Sequence, residues 1–148
     1  MHKIFIDTDV ILDVLLKREP YHLSATYIFR QIELNRIKAY TSPLVLANLH
    51  YILSKATTQK TSLEKIKQLH QMLKITKIDQ EIIDNVLFVN KIKDLEDLIQ
   101  YYSAIDRKID FLITRNISDY PTPKNIKIIR PDEFMKILEI QEKEENRP

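Results

Sequence analysis

Two periods of apolar spacing alternate along the chain, and the switches between them mark the elements. Lys3–Ile6 (KIFI) is a short, nearly continuous apolar run of the kind that forms a strand buried on both faces. Helical spacing follows, with Asp9 as the expected cap of a helix to about Lys17 and Pro20 as a break. Tyr21–Leu34 places Leu23, Tyr27, Ile28 and Ile32 at helical intervals. Ile37–Thr41 reads as a second strand. Ser42-Pro43 then opens a helix to about Lys55, with the cap and the proline in their preferred places. Ser62–Leu73 is helical, Lys74–Lys77 a short strand, and Asp79–Val89 a helix from an Asp cap. Asp94–Arg107 is a further helix, Phe111–Thr114 a buried strand, Ile126–Ile129 a last strand, and Pro131 opens the final helix.

Strands separated by helices predict an α/β fold: a three-layer α/β/α sandwich around a mostly parallel sheet of four to five strands. No repeat or linker divides the 148 residues. The expectation is one domain over residues 1–138, with 139–148 a charged tail that frays. Ligands of such sheets gather outside the carboxyl ends of the strands. Here those ends are Asp7, Thr41-Ser42, and Thr114-Arg115-Asn116 with Asp119 just beyond.

Composition narrows the chemistry. The chain has no cysteine, which excludes disulfides, thiolate nucleophiles and cysteine-based zinc sites. It has no glycine either, so a P-loop, a dinucleotide fingerprint and a G-x-S-x-G elbow are all excluded. Its four histidines are scattered, against a histidine-ligated metal. Net charge is +2, too small to mark a nucleic-acid arm. No apolar run approaches the ~20 residues needed to span a bilayer, and MHKIFID is not a signal peptide, so the sequence predicts a cytoplasmic protein.

Three acidic clusters remain. IFIDTDVILD (residues 4–13) ends an apolar strand on Asp7, where a carboxylate either caps the next helix or serves chemistry. KIKDLEDLIQYYSAI (91–105) sets Asp94 and Asp97 three apart at a helix start, where capping and the helix dipole already account for acids. FLITRNISDY (111–120) ends a strand at Thr114 and continues into Arg115, Asn116 and Asp119. Each alone is an ordinary polar turn. Together they bring carboxylates to one edge, where mutual repulsion calls for a cation. Oxygen ligands without Cys or His select a hard ion, Mg²⁺ or Mn²⁺.

The order of these motifs, a strand into D-T-D, then D-x-E-D-x-x-Q-Y-x-x-A, then I-T-R-N-x-x-D-Y and P-x-E-F, resembles the PIN domain family, in particular its branch of VapC-type toxins. The resemblance runs from Phe5 to Phe134. It implies a Mg²⁺- or Mn²⁺-dependent endoribonuclease, often dimeric and often paired with an antitoxin protein. Asp7 matches the family's first acid and Asp97 the third, while Asn116 and Asp119 match its last acidic motif. Asn48 stands where the second acid, a glutamate, is usual, and Asn116 where many members carry aspartate.

On this reading Asp7, Asp97 and Asp119 anchor the metal with help from Asp94. Asn48 and Asn116 complete the catalytic set, and Thr8, Asp9 and Thr114 support it. Arg115 either holds RNA phosphate at the mouth or pairs with a neighbouring acid. Two other readings stand beside it. The two amides suit a PIN-fold module that binds RNA or protein without cutting, and IDTDV also resembles the D-x-D motif of haloacid-dehalogenase-like phosphotransferases, with Asp7 as nucleophile.

Overall fold

A computed structural model describes residues 1–121 and 124–148. In chain order the elements are β1 (His2–Ile6), α1 (Thr8–Leu15), α2 (His22–Glu33), β2 (Ile37–Thr41), α3 (Pro43–Ala56), α4 (Gln59–Met72) and β3 (Lys74–Ile75). They continue with α5 (Gln80–Leu87), α6 (Leu95–Asp106), β4 (Phe111–Ile113), a single 3-10 turn (Ile117–Asp119), β5 (Lys127–Ile129) and α7 (Pro131–Glu145). The five strands form one parallel sheet in the order β3-β2-β1-β4-β5. The α/β/α sandwich read from the pattern is the observed fold. Among the described residues, no helix is long and apolar enough to cross a membrane.

The central strand explains its own sequence. Ile4, Phe5 and Ile6 of β1 are inaccessible to solvent, because helices cover both faces of the sheet. Val10, Ile11 and Leu12 of α1, Ala25 and Ile28 of α2, Leu49 and Leu53 of α3, and Phe134 of α7 pack into the same core. Connections from β1 run outward to β2 and β3 on one side, then return across β1 to β4 and β5 on the other. The chain therefore reverses direction beside β1, and at the carboxyl ends of β1 and β4 a crevice opens where a parallel sheet binds ligands.

Several boundaries differ from the sequence reading, each for a local reason. The cap of α1 is Asp7, whose carboxylate accepts the Thr8 backbone N–H at 2.7 Å, so the helix starts before Asp9. Thr58 caps α4 through the Thr61 N–H, which starts that helix at Gln59 and not at Ser62. Helix α7 continues to Glu145, through most of the segment read as a charged tail. Without glycine, the left-handed residues that close α1, α2 and α6 are Lys17, Asn35 and Lys108, with φ of 51°, 57° and 54°. Each closure has the paired backbone bonds of a Schellman motif, such as Asn35 N–H to Ile32 O and Arg36 N–H to Gln31 O, which offset the steric cost of that conformation.

Candidate active site

Sheet register builds the site. Ile6 pairs with Ile113, so the next residues, Asp7 and Thr114, stand side by side at the sheet's carboxyl edge. Asp7 is only 6% exposed. Its Oδ1 accepts the Thr8 N–H at 2.7 Å and the Gln100 side-chain amide at 3.4 Å. Its Oδ2 accepts the Thr114 hydroxyl at 2.8 Å and the Tyr120 hydroxyl at 3.2 Å. Burial pushes the Asp7 carboxyl above the usual carboxylate range, and the bonds from Thr114, Thr8 and Gln100 pull the other way. Asp7 thus caps α1 and lines the cleft at once.

The cleft has a volume of about 290 Å³ and is lined by Asp7, Thr8, Asp9, Asn48, Asp94, Glu96, Asp97, Asn116 and Asp119, with Tyr51 and Ile52 at one side. All three sequence clusters meet there. Asp97 is half-buried beside the others, and its pKa is pushed up to about 7 by burial first, then by the charges of Asp7, Asp94, Asp119 and Glu96. Glu96 is raised by burial and by Asp7 and Asp94, while its bond from Asn48 acts in the opposite sense. Burial and the charges of Asp7 and Asp97 hold the Tyr120 phenol well above its ordinary 10, so it stays a donor.

The remaining residues of the sequence reading fall into place with different duties. Asp94 caps α6, its Oδ1 accepting the Asp97 N–H at 3.0 Å. Asn116 donates its side-chain amide to Asp9 Oδ2 at 3.1 Å and its backbone N–H to the Thr114 hydroxyl at 3.1 Å. Asn48 donates to Glu96 Oε1 across the cleft. Thr8 is nine-tenths buried, and its hydroxyl has no partner among the described residues.

Arg115 does not line the cleft and touches a different acid. Its Nε lies 3.0 Å from Asp13 Oδ2, angled so as to form an ion pair without a hydrogen bond, and a terminal nitrogen donates to Asp13 Oδ1 at 3.3 Å. Its guanidinium also stacks 3.9 Å above the Tyr21 ring. Asp13 has no solvent exposure and takes a second pair from Arg18 Nε at 2.9 Å. Of the two readings of Arg115, the structure shows the pairing with a neighbouring acid that must not be left bare in the core.

Three participants were not picked out from the sequence. Gln100 is fully buried and links Asp7, Tyr120 and Ser42. Tyr120 completes the Asp7 cage. Glu96 reaches the cleft although helical spacing from Asp97 gave no reason to expect it. The available signal was the resemblance itself, whose motifs contain Glu96, Gln100 and Tyr120 without giving them a role.

The donors fit a hard divalent cation: they are all oxygens, several are ionisable, and their like charges stand close enough to raise one another's pKa. The orphan Thr8 hydroxyl adds a neutral oxygen. Among the described residues, however, no three acidic or histidine side chains form a ready-made ion cage.

The profile of the PIN domain matches residues 3–118, and the chain belongs to that family. Ribonuclease VapC1 of Aquifex aeolicus (strain VF5) is 26% identical over 136 residues, spanning 89% of this chain and 92% of that protein. Of solved structures, VapBC-1 from nontypeable Haemophilus influenzae aligns with a TM-score of 0.64 at 15% identity, over 88% of this chain and 98% of that one. A toxin–antitoxin complex from Klebsiella pneumoniae aligns with a TM-score of 0.64 at 18% identity, over 86% and 97%. These two likenesses are of fold.

Proposed function

We propose that the protein is a metal-dependent endoribonuclease and the toxin half of a toxin–antitoxin pair. The observation that carries this reading is the convergence of Asp7, Asp97 and Asp119 on one cleft at the carboxyl edge of the sheet, in a chain of the PIN family. Its likeness to a protein named ribonuclease VapC1 supports RNA as substrate. Its likeness in fold to VapBC and toxin–antitoxin structures supports a cognate antitoxin. The functional unit is a homodimer, as the family resemblance implies.

Asp7, Asp97 and Asp119 would hold Mg²⁺ or Mn²⁺, with Asp94 near by. When bound, such an ion neutralises phosphodiester charge and lowers the pKa of water for in-line attack. The chain's own groups prepare that chemistry. Thr114, Tyr120 and Gln100 fix the Asp7 carboxylate through three side-chain bonds, so little reorganisation is left for the moment of reaction. Asn116 holds Asp9, and Thr8 lines the cleft with a buried hydroxyl that has no partner among the described residues. Because Mg²⁺ keeps several waters and often completes its shell with substrate phosphates, the sparse protein cage fits a site that fills fully only with RNA.

The phosphotransferase reading loses support, since the PIN profile matches residues 3–118, the segment that carries IDTDV. A binding module without activity keeps one specific support, the amides at Asn48 and Asn116, which spend themselves on Glu96 and Asp9. Incubation with structured RNA decides between cutting and binding. Cleavage that needs Mg²⁺ or Mn²⁺, stops with EDTA and is lost in Asp97→Asn supports the nuclease. RNA left intact at saturating protein and metal overturns it.

A further inference from the structure

Helix α6 opens on three acids that take three different tasks. Asp94 is spent on capping, its Oδ1 on the Asp97 N–H at 3.0 Å. Asp97 faces the cleft, half-buried. Glu96 precedes it by one residue, about 100° around a helix, and would ordinarily point elsewhere. It lines the cleft nevertheless, because the Asn48 amide on α3 donates to Glu96 Oε1. That bond spans the gap between α3 and α6. It sets the Glu96 carboxylate at the tip of the Asn48 side chain, where a side chain one methylene longer on α3 would carry an acid of its own.

We propose that Glu96 is a carboxylate of the cation site, supplying from α6 the charge that α3 lacks, and that Asn48 is the residue that positions it. The proposal rests on reading the cleft as a divalent-cation site. An acid in the first turn of a helix is usually explained by the dipole alone, as for Glu133 at the start of α7. Glu96 differs in two respects: a side chain from another helix orients it, and it lines the cleft that Asp7, Asp97 and Asp119 also line. Asn48 is neutral and cannot offset that charge. Holding a fourth carboxylate against three others is unfavourable until a cation joins them.

The exchange of roles can be measured without any turnover. Mn²⁺ is titrated into the full chain while the melting temperature is followed, since an ion that binds only the folded state raises it. Glu96→Gln keeps the size of an exposed side chain and should require about tenfold more Mn²⁺ for the same shift. Glu133→Gln should need no more than wild type. Asn48→Glu combined with Glu96→Gln swaps acid and amide and should return the response to the wild-type range. A Glu96→Gln protein that responds like wild type overturns the proposal, as does a folded exchange variant that recovers nothing. If wild type ignores Mn²⁺ both alone and beside a non-cleavable RNA analogue, the cation reading fails before Glu96 is at issue.

Discussion

The Thr114 hydroxyl donates to Asp7 Oδ2 at 2.8 Å, tying the residue after β4 to the residue after β1. Nothing in a loop creates this bond. It follows from the pairing of Ile6 with Ile113 one step earlier, so the core of the sheet sets the position of the carboxylate. The same Oδ2 takes the Tyr120 hydroxyl, and Oδ1 takes the Gln100 amide and the first free N–H of α1. The acid most central to the site is thus also part of the scaffold.

Two substitutions at Asp7 should separate these roles. Asp7→Asn keeps an oxygen for the cap and relieves the cost of burying a charge. The Tyr120 hydroxyl can turn to accept from the new amide. Its melting temperature should match or exceed that of wild type while RNA cleavage is lost. Asp7→Ala removes the cap, worth about 1 kcal/mol, and strands buried donors at roughly 1–3 kcal/mol each. It should melt several degrees lower. Scanning calorimetry of both proteins beside a cleavage assay checks the pair. An Asp7→Asn protein that still cuts RNA would remove Asp7 from the chemistry.

Asp97 predicts how the metal-free protein responds to pH. Its folded pKa of about 7 lies above an ordinary 3.8. The folded state therefore holds the proton more tightly than the unfolded chain. The resulting stabilisation is complete below 3.8 and is lost as pH rises to about 7. Melting curves in chelator should show stability falling with pH across that window, with Asp7, also raised, adding in the same sense. Asp97→Asn should flatten the fall and melt above wild type at neutral pH. A wild-type slope in the mutant would contradict the electrostatic account of the cleft.

The parts of this protein that could be read from its sequence are those with a local signal. Buried strands announce themselves as IFI and FLI, and their carboxyl ends locate Asp7 and Thr114 without any knowledge of register. What the sequence hides is which of several adjacent acids does what. Asp7, Asp9 and Asp13 look equivalent in IDTDVILD, yet the first caps and faces the cleft, the second accepts from Asn116 and Arg18, and the third is buried between two arginines. Tyr120 and Gln100 join Asp7 only through tertiary approach, over sequence separations of 113 and 93 residues. Glu96 is hidden for a related reason, since the bond that turns it inward comes from a different helix.

Arg115 supplies the last test, because its two readings give different phenotypes. As an RNA contact, its loss would weaken substrate binding and leave folding intact. As the partner of Asp13, its loss leaves a carboxylate of 0% exposure with Arg18 alone. Breaking a buried pair commonly costs about 3–5 kcal/mol. With Arg18 still in place, Arg115→Ala should fall at or below the low end of that range and melt clearly lower. The double change Asp13→Asn with Arg115→Ala removes the unpaired charge and should recover part of the loss. RNA affinity measured below the melting transition should be unchanged in both. Weakened RNA binding at wild-type stability would instead return Arg115 to the mouth of the site.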